Sequence, residues 1–322
     1  MADKLLDVQH LRTHFFTRSG VVKAVEDVSL YVDQGETLGI VGESGCGKSV
    51  TSLSIMRLID KPGKIVGGRI LFKGDDVVDM DDEELRKLRG AQIAMIFQDP
   101  MTSLNPVYTV GFQIAEAVKT HLKLDDRAAT NRSVEMMERV RIPEARRRLN
   151  SYPHEFSGGM RQRVMIAIAL SCNPALLIAD EPTTALDVTI QAQVLDLMKG
   201  LASEFGTATV LITHDLGVVA GTCDRVNVMY AGRIVETAPT ATLFKQPAHP
   251  YTQALLNAVP RANTPPGTKL MAIGGTPPSL INLPPGCPFA PRCRKAQARC
   301  RQELPVLETK GPQQQAACFY PY

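Results

Sequence analysis

A glycine-rich segment near residue 45 has the composition and spacing of a phosphate-binding loop. Residues 42–49 match the pattern G-x-x-x-x-G-K-[ST] and lie between an apolar run and a proline-free stretch, which predicts strand, loop and helix. Backbone N–H groups and the helix N-terminus would face the phosphates, Lys48 would reach the β- and γ-phosphates, and Ser49 would ligate Mg²⁺. The predicted nucleotide-binding residues are Gly42, Glu43, Ser44, Gly45, Cys46, Gly47, Lys48, Ser49 and Val50.

Two acids follow a second apolar run. Residues 176–179 predict a buried strand, and Asp180 and Glu181 stand at its end. In enzymes with a phosphate-binding loop of this kind, the first such acid completes the Mg²⁺ shell and the second can orient the attacking water. Asp180 is therefore a candidate metal ligand, and Glu181 is a candidate catalytic residue.

A third segment makes the pattern specific. Residues 156–160 read Phe-Ser-Gly-Gly-Met, and Ser157 stands where it would cap a following helix. The sequence here resembles the ATP-binding cassette (ABC) family, whose signature is L-S-G-G-Q, with Phe156 and Met160 as departures. The resemblance implies that Ser157, Gly158 and Gly159 complete the ATP site of a partner subunit across a head-to-tail dimer.

Further segments resemble the same family in the same order. Gln98 resembles the Q-loop glutamine, residues 185–187 (Ala-Leu-Asp) the D-loop, and His214 the H-loop histidine. The resemblance implies that Gln98 contacts Mg²⁺ and links to membrane subunits, that Asp187 belongs to the nucleotide site, and that His214 senses the γ-phosphate. Phe15, or its neighbour Phe16, would stack on adenine as the A-loop aromatic. The catalytic residues implied are Glu181, His214 and Lys48.

The elements that position these residues alternate along the chain. Short apolar runs that predict buried strands are separated by helical patterns, so the residues indicate an α/β fold with a mostly parallel sheet. Residues 101–160 lack strand-like runs and predict a helical insert. Together with the resemblance, this gives a P-loop NTPase fold of the ABC cassette type over residues 1–256, a helical subdomain at about 101–160, and a loop-rich cysteine tail over residues 257–322.

The tail differs in composition from the rest of the chain. It contains Cys287, Cys293, Cys300 and Cys318, and 14 of the 22 prolines fall within residues 246–322. Four clustered thiols in a reduced compartment favour a metal over disulfides, and an all-thiolate site suits zinc or an iron–sulfur cluster. The close C-x₂₋₄-C pairs usual in structural zinc sites are absent. The tail resembles those of the peptide-importer branch of the ABC family, in which some members hold a [4Fe–4S] cluster, and this resemblance implies the same cluster here. Free thiols remain the third alternative.

Two segments narrow the resemblance to one branch. Residues 98–106 and 249–256 look like the ATPase subunits of bacterial dipeptide and oligopeptide importers, closest to the dipeptide D-type subunit. The implied partners are a second ABC ATPase, either a copy or a sister chain, two transmembrane permease subunits and a separate solute-binding protein. The alternatives are an importer of nickel or another small solute, a soluble ABC ATPase of DNA repair or translation, and a non-catalytic regulator.

Charge and hydropathy restrict where such a protein would act. The net charge is +3, which gives no reason to expect nucleic acid as a partner, and the longest apolar run has seven residues where a spanning helix needs about 20. Acids at the N-terminus argue against a secretory signal. We therefore expect a peripheral protein on the cytoplasmic face of the inner membrane.

Overall fold

The computed structural model describes residues 4–184, 186–258 and 273–322. In these ranges the strands are β1 (Lys4–Thr17), β2 (Gly20–Asp33), β3 (Thr37–Val41), β4 (Gly63–Phe72), β5 (Asp75–Asp76), β6 (Ile93–Ile96), β7 (Leu176–Asp180), β8 (Ala208–Thr213), β9 (Arg225–Tyr230), β10 (Arg233–Pro239), β11 (Glu308–Gly311) and β12 (Gln314–Ala316). The helices are α1 (Lys48–Ile55), α2 (Asp82–Leu88), α3 (Pro100–Ser103), α4 (Val110–Leu122), α5 (Asp126–Arg139), α6 (Ala145–Arg148), α7 (Gly158–Leu170), α8 (Val188–Phe205), α9 (Leu216–Thr222), α10 (Thr240–Lys245), α11 (Pro250–Asn257) and α12 (Ala298–Gln302), with a 3₁₀ turn at Pro153–Glu155. The chain divides into two compact units, one formed mainly by residues 79–212 and the other by residues 6–31, 37–78 and 213–322.

The first unit contains parallel strands. Strand β6 pairs with β7, and β7 pairs with β8, all in parallel register. Every residue of β7 and β8 is buried, as expected for parallel strands covered on both faces, and this explains their continuous apolar runs. The strands predicted from those runs are confirmed.

Helices fill the segment between β6 and β7. Residues 101–160 contain helices and turns but no strand, and the helix α4 spans Val110–Leu122. The hydroxyl of Thr109 accepts a hydrogen bond from the Phe112 N–H, and the Asp125 carboxylate accepts one from the Ala128 N–H. These side chains satisfy N–H groups that the first turns of α4 and α5 leave without partners, so each helix starts where a capping residue stands.

The second unit contains two groups of paired strands. One has the order β2-β1-β4-β5, with β1–β4 and β4–β5 antiparallel. In the other, β3 pairs with β9 in parallel, β9 with β10 antiparallel, and β10 with β12 antiparallel. The prediction of a mostly parallel sheet is therefore correct for β3, β6, β7, β8 and β9 but misses the antiparallel pairs.

A bulge in β1 explains why the sequence pattern did not mark this strand. The β1–β4 register shifts between Gln9 and Arg12, so the buried side chains change from Leu6 and Val8 to Leu11 and Thr13. The alternation thus changes parity in the middle of the strand, and a period of two no longer identifies it.

The C-terminal segment has more regular structure than its prolines predict. Residues 273–322 contain α12, β11 and β12, and β12 extends a sheet by pairing with β10. The first part of the predicted tail, residues 259–272, lies outside the described residues. The prediction of a loop-rich tail therefore needs a partial correction, because the strands β11 and β12 belong to a sheet of the second unit. None of the helices in the described ranges is both long and apolar enough to span a bilayer.

Candidate functional site

The predicted phosphate-binding loop lies between β3 and α1, as its sequence context requires. Lys48 is almost fully buried, and its ammonium donates to the carbonyl oxygens of Gly42 at 2.9 Å and Glu43 at 3.1 Å. The lysine therefore crosses the loop and holds its first two residues. Ser44 and Gly45 form the exposed tip, and Cys46 is buried. Ser49 and Val50 lie half-buried in the first turn of helix α1, after Lys48.

Two glycines of the loop are required by close contacts. A Cβ on Gly42 would lie 2.2 Å from the carbonyl oxygen of Met229, and one on Gly47 would lie 2.3 Å from that of Ala24. Gly47 also has a φ of 109°, a conformation that side chains other than glycine rarely adopt. The backbone of the loop is thus packed tightly against its surroundings. Burial raises the pKa of the Cys46 thiol, as expected for a small side chain that only fills space in the loop.

Two predicted residues 83 positions apart meet at the end of β7. Gln98 Nε2 donates to Glu181 Oε2 at 3.1 Å, and the Thr184 hydroxyl donates to the same oxygen at 2.9 Å. The Glu181 N–H donates to the Ile212 carbonyl oxygen at 2.9 Å. Glu181 has a φ of 44°, a left-handed conformation that non-glycine residues adopt only where other contacts fix them. The preceding Asp180 is buried at the end of the strand.

The signature segment begins helix α7. Ser157 is exposed as the N-cap, and its hydroxyl accepts from the Met160 N–H at 3.4 Å, while Gly158 and Gly159 form the first turn. Phe156, which replaces the family's leucine, is 3% exposed and therefore remains an apolar anchor. The serine hydroxyl and the following N–H groups at this helix N-terminus are suited to binding an anion.

The other predicted residues occupy element ends. Asp187 is the exposed N-cap of α8, whereas Ala185 lies outside the described residues. His214 follows β8 and is exposed. Phe15 faces Gly63 across the β1–β4 pair, and a Cβ on that glycine would approach its ring to 2.7 Å, while the neighbouring Phe16 is 49% exposed.

Sequence reasoning missed two residues that contact the phosphate-binding loop. The Tyr251 hydroxyl accepts from the Glu43 N–H at 2.9 Å, and the Arg292 guanidinium forms an ion pair with the Glu43 carboxylate at 2.6 Å. The hydrogen bonds to Glu43 raise the pKa of Arg292, so the guanidinium stays charged, and burial raises the pKa of Tyr251, so its hydroxyl stays protonated. Both residues lie more than 200 positions from Glu43, and no spacing in the sequence signals the contact.

The four C-terminal cysteines line one cleft. Cys287, Cys293, Cys300 and Cys318 all contribute to it, and the Cys287 N–H donates to the Cys300 carbonyl oxygen at 2.8 Å. Burial, together with the neighbouring Cys318 and Cys293, raises the pKa of Cys287 to about 11. Nevertheless, in the described part of the chain no three His, Cys, Asp or Glu side chains are arranged to hold a metal ion.

A histidine from outside the tail also lines this cleft. His249 is fully buried there, which lowers its pKa to about 3, so it is neutral. Its Nδ1 accepts from the Tyr251 N–H at 3.0 Å, and the ring also hydrogen-bonds to the backbone of Ala317. This ring is therefore already engaged in hydrogen bonds, and the four cysteines stay the predicted ligands of an all-thiolate site.

Comparison with known families covers both parts of the chain. The family described as "ABC transporter" matches residues 25–184, and the family described as "Oligopeptide/dipeptide transporter, C-terminal region" matches residues 235–300. A solved dimeric ATP-binding cassette in a post-hydrolysis state, bound to ADP and Pi, is similar with a TM-score of 0.66 and 28% identity. That similarity covers 73% of this chain and 98% of the other.

Relatives of known description match almost the entire chain. A probable peptide ABC transporter ATP-binding protein of Sinorhizobium fredii is 56% identical over 99% of this chain and 95% of its own length. The oligopeptide transport ATP-binding protein OppD of Salmonella typhimurium is 53% identical over 99% and 95%. With the phosphate-binding loop, the Gln98–Glu181 pair and the capped signature helix, these matches show that the chain is an ATPase that belongs to the ABC transporter family, in the branch with the oligopeptide/dipeptide transporter C-terminal region.

Proposed function

We propose that this chain is the ATP-hydrolysing subunit that powers import of dipeptides or oligopeptides across the cytoplasmic membrane. The observation that carries the proposal is the C-terminal match: the region at residues 235–300 is that of oligopeptide/dipeptide transporters, and it follows an ABC cassette in the same chain. We divide the chain accordingly into an ATPase domain, residues 1–256, with a helical subdomain at about 101–160, and an appended C-terminal region, residues 257–322.

The proposed roles follow the chemistry of each side chain. Lys48 and the loop N–H groups bind the β- and γ-phosphates of ATP, and Glu181 orients the attacking water. The Ser49 hydroxyl and the Asp180 carboxylate, with Gln98, are oxygen donors of the kind that Mg²⁺ prefers. These residues would hold the ion, which would neutralise charge on the phosphate oxygens. His214 contacts the γ-phosphate, and Phe15 or the more exposed Phe16 stacks on adenine.

The signature segment does not act on the ATP that binds to the phosphate-binding loop of the same chain. Ser157, Gly158 and Gly159, with Asp187, complete the ATP site of a second ABC ATPase, either a sister chain or a second copy. Two transmembrane permease subunits and a solute-binding protein complete the importer, and the chain lies peripherally at the cytoplasmic face of the membrane.

Closure of the two ATPases around ATP drives the permeases.

Co-purification from detergent-solubilised membranes tests this function. We expect integral permease subunits to co-purify with the tagged chain, and the complex to show ATPase activity that peptide-loaded binding protein stimulates. A control with unloaded binding protein gives the basal rate. Stimulation by Ni²⁺ and not by peptides would replace peptide with nickel as cargo, and recovery of ribosomes or DNA instead of permeases would contradict the importer.

We further propose that the four C-terminal cysteines hold a [4Fe–4S] cluster. Such a cluster takes one thiolate on each of its four irons, so its ligands need not converge on a single ion as zinc ligands do. Four thiols lining one cleft supply the required number of ligands. When bound, the cluster would supply a structural crosslink, and Cys287, Cys293, Cys300 and Cys318 would be its ligands.

Metal analysis of anaerobically purified protein tests the cluster. We expect iron and acid-labile sulfide in the wild-type chain, and a clear loss of both in Cys293→Ser, because that variant lacks one thiolate ligand. Cys172→Ser is the matched control, since Cys172 is buried outside the tail and should leave both contents unchanged. Zinc in place of iron, or four free thiols with neither metal, would reject the cluster.

A further inference from the structure

An arginine of the C-terminal region, Arg292, pairs with Glu43 of the phosphate-binding loop. Arg292 Nη1 donates to Glu43 Oε2 at 2.6 Å, and Nη2 donates to Glu43 Oε1 at 2.9 Å. This is a two-point pairing in which both guanidinium nitrogens match both carboxylate oxygens, the strongest geometry for such a pair. The Arg292 side chain is only 4% exposed and that of Glu43 26%, so solvent screens the pair weakly.

The arginine is itself held in a fixed orientation. Its Nε donates to the Gly274 carbonyl oxygen at 2.9 Å, its Nη2 to that of Ile273 at 3.3 Å, and its Nη1 to the Tyr230 hydroxyl at 3.2 Å. Because every nitrogen has an acceptor, the guanidinium has one preferred position. It therefore acts as a rigid support for Glu43 rather than as a mobile surface charge.

A second contact fixes the backbone of the same loop residue. The Tyr251 hydroxyl accepts from the Glu43 N–H at 2.9 Å, and the Tyr251 ring packs against Tyr230 and Phe289 with centroids 4.5 and 5.3 Å away. Glu43 is therefore held at both its main chain and its carboxylate. The Glu43 carbonyl in turn accepts from Lys48 at 3.1 Å, so a shift of Glu43 would displace the lysine that contacts phosphate.

The fixed position of Glu43 and its pairing with Arg292 both favour nucleotide binding. A loop that is already ordered loses less conformational entropy when the ligand binds. An unpaired Glu43 carboxylate would also put a negative charge on a loop that must accept phosphates, and Arg292 neutralises it. Both effects act on binding affinity and neither acts on the attacking water.

We propose that Arg292, assisted by Tyr251, is a positioning residue of the phosphate-binding loop, so that the C-terminal region sets the affinity of the cassette for ATP. This inference rests on the proposed function, because it assumes that the loop binds ATP. It assigns to the segment around residue 292 a task in nucleotide binding that is separate from any metal held by the neighbouring cysteines.

Nucleotide titration of single variants tests the positioning role. We expect Arg292→Ala to weaken binding of a fluorescent ATP analogue by about tenfold, because both charged hydrogen bonds from Arg292 to the Glu43 carboxylate are lost. The KM for ATP should rise in proportion, while kcat at saturating ATP stays within about twofold. Arg292→Lys keeps the charge without the two-point geometry and should give an intermediate affinity. Lys310→Ala, which breaks a tail ion pair with Glu308, is the matched control and should bind like the wild type.

A double variant separates positioning from a general loss of structure. Glu43→Gln combined with Arg292→Ala removes the uncompensated carboxylate, so we expect it to bind ATP more tightly than Arg292→Ala alone. If Arg292→Ala is too unstable to purify, Arg292→Met and its combination with Glu43→Gln provide the same comparison, because methionine also lacks the positive charge and fills more of the space of the arginine. Thermal unfolding without nucleotide checks that each variant is folded.

The outcomes distinguish this inference from the function on which it rests. If the wild-type chain does not bind ATP, the proposed function fails. If the wild type binds ATP and Arg292→Ala and Arg292→Lys bind it equally well, the positioning role is wrong and the ATPase function stands. A fall in kcat with unchanged KM would likewise overturn the positioning role, because it would assign Arg292 to the chemical step.

Discussion

Glu181→Gln is expected to bind ATP with the affinity of the wild type while hydrolysis falls by about 10²- to 10⁴-fold, the range lost when a positioned general base is removed. The amide of glutamine has nearly the shape of the carboxylate, so the binding loop is unchanged. It lacks the negative charge and the basicity that polarise the attacking water. Dimers with bound ATP should therefore accumulate.

The contacts of Glu181 give the physical reason for this expectation. Gln98 and Thr184 both donate to Oε2, and the backbone of Glu181 is held in a left-handed conformation. The carboxylate is thus oriented before any substrate arrives, which is what a water-positioning group requires.

Steady-state ATPase assays and size-exclusion chromatography with ATP measure this effect. Glu83→Gln is the matched control, because Glu83 is an exposed acid on α2 whose partner is Lys87 on the same helix. The control should hydrolyse ATP at the wild-type rate and show no increase in dimer. Undiminished turnover in Glu181→Gln would remove Glu181 from its proposed role.

Glu236→Ala is expected to lower the free energy of unfolding by about 3 kcal/mol or more, since it leaves several buried donors without an acceptor. Glu236 is fully buried on β10, and its carboxylate accepts from the N–H groups of Ala248 and His249, each at 2.8 Å, and from Gln314 Nε2 at 2.9 Å. One side chain thus joins β10, the start of α11 and β12.

Denaturant unfolding followed by far-UV circular dichroism measures this loss. Gln314→Ala removes one of the three donors to Glu236 and should shift the midpoint by less than Glu236→Ala does. Glu308 is an exposed acid on the neighbouring β11 that pairs with Lys310, and Glu308→Ala should leave the midpoint unchanged. An unfolding midpoint for Glu236→Ala equal to that of the wild type would show that the buried network contributes nothing to stability.

Local features of this protein are readable from the sequence because their residues are contiguous. The phosphate-binding loop needs glycines, a lysine and a serine within eight positions, and the structure places it between β3 and α1 as expected. The strands β7 and β8 are fully buried and therefore appear as unbroken apolar runs. The signature is recognisable for the same reason, since Ser157 caps the helix that directly follows it.

Tertiary structure decided the contacts between distant segments. The bulge in β1 changes which side chains are buried, so alternation alone could not reveal this strand. Three contacts join residues that are far apart in the chain. Gln98 hydrogen-bonds to Glu181, His249 lines the cleft of the four cysteines, and Arg292 pairs with Glu43. Sequence spacing carries no information about such pairs, because hydrogen bonds and ion pairs form only after packing has brought the segments within about 3 Å.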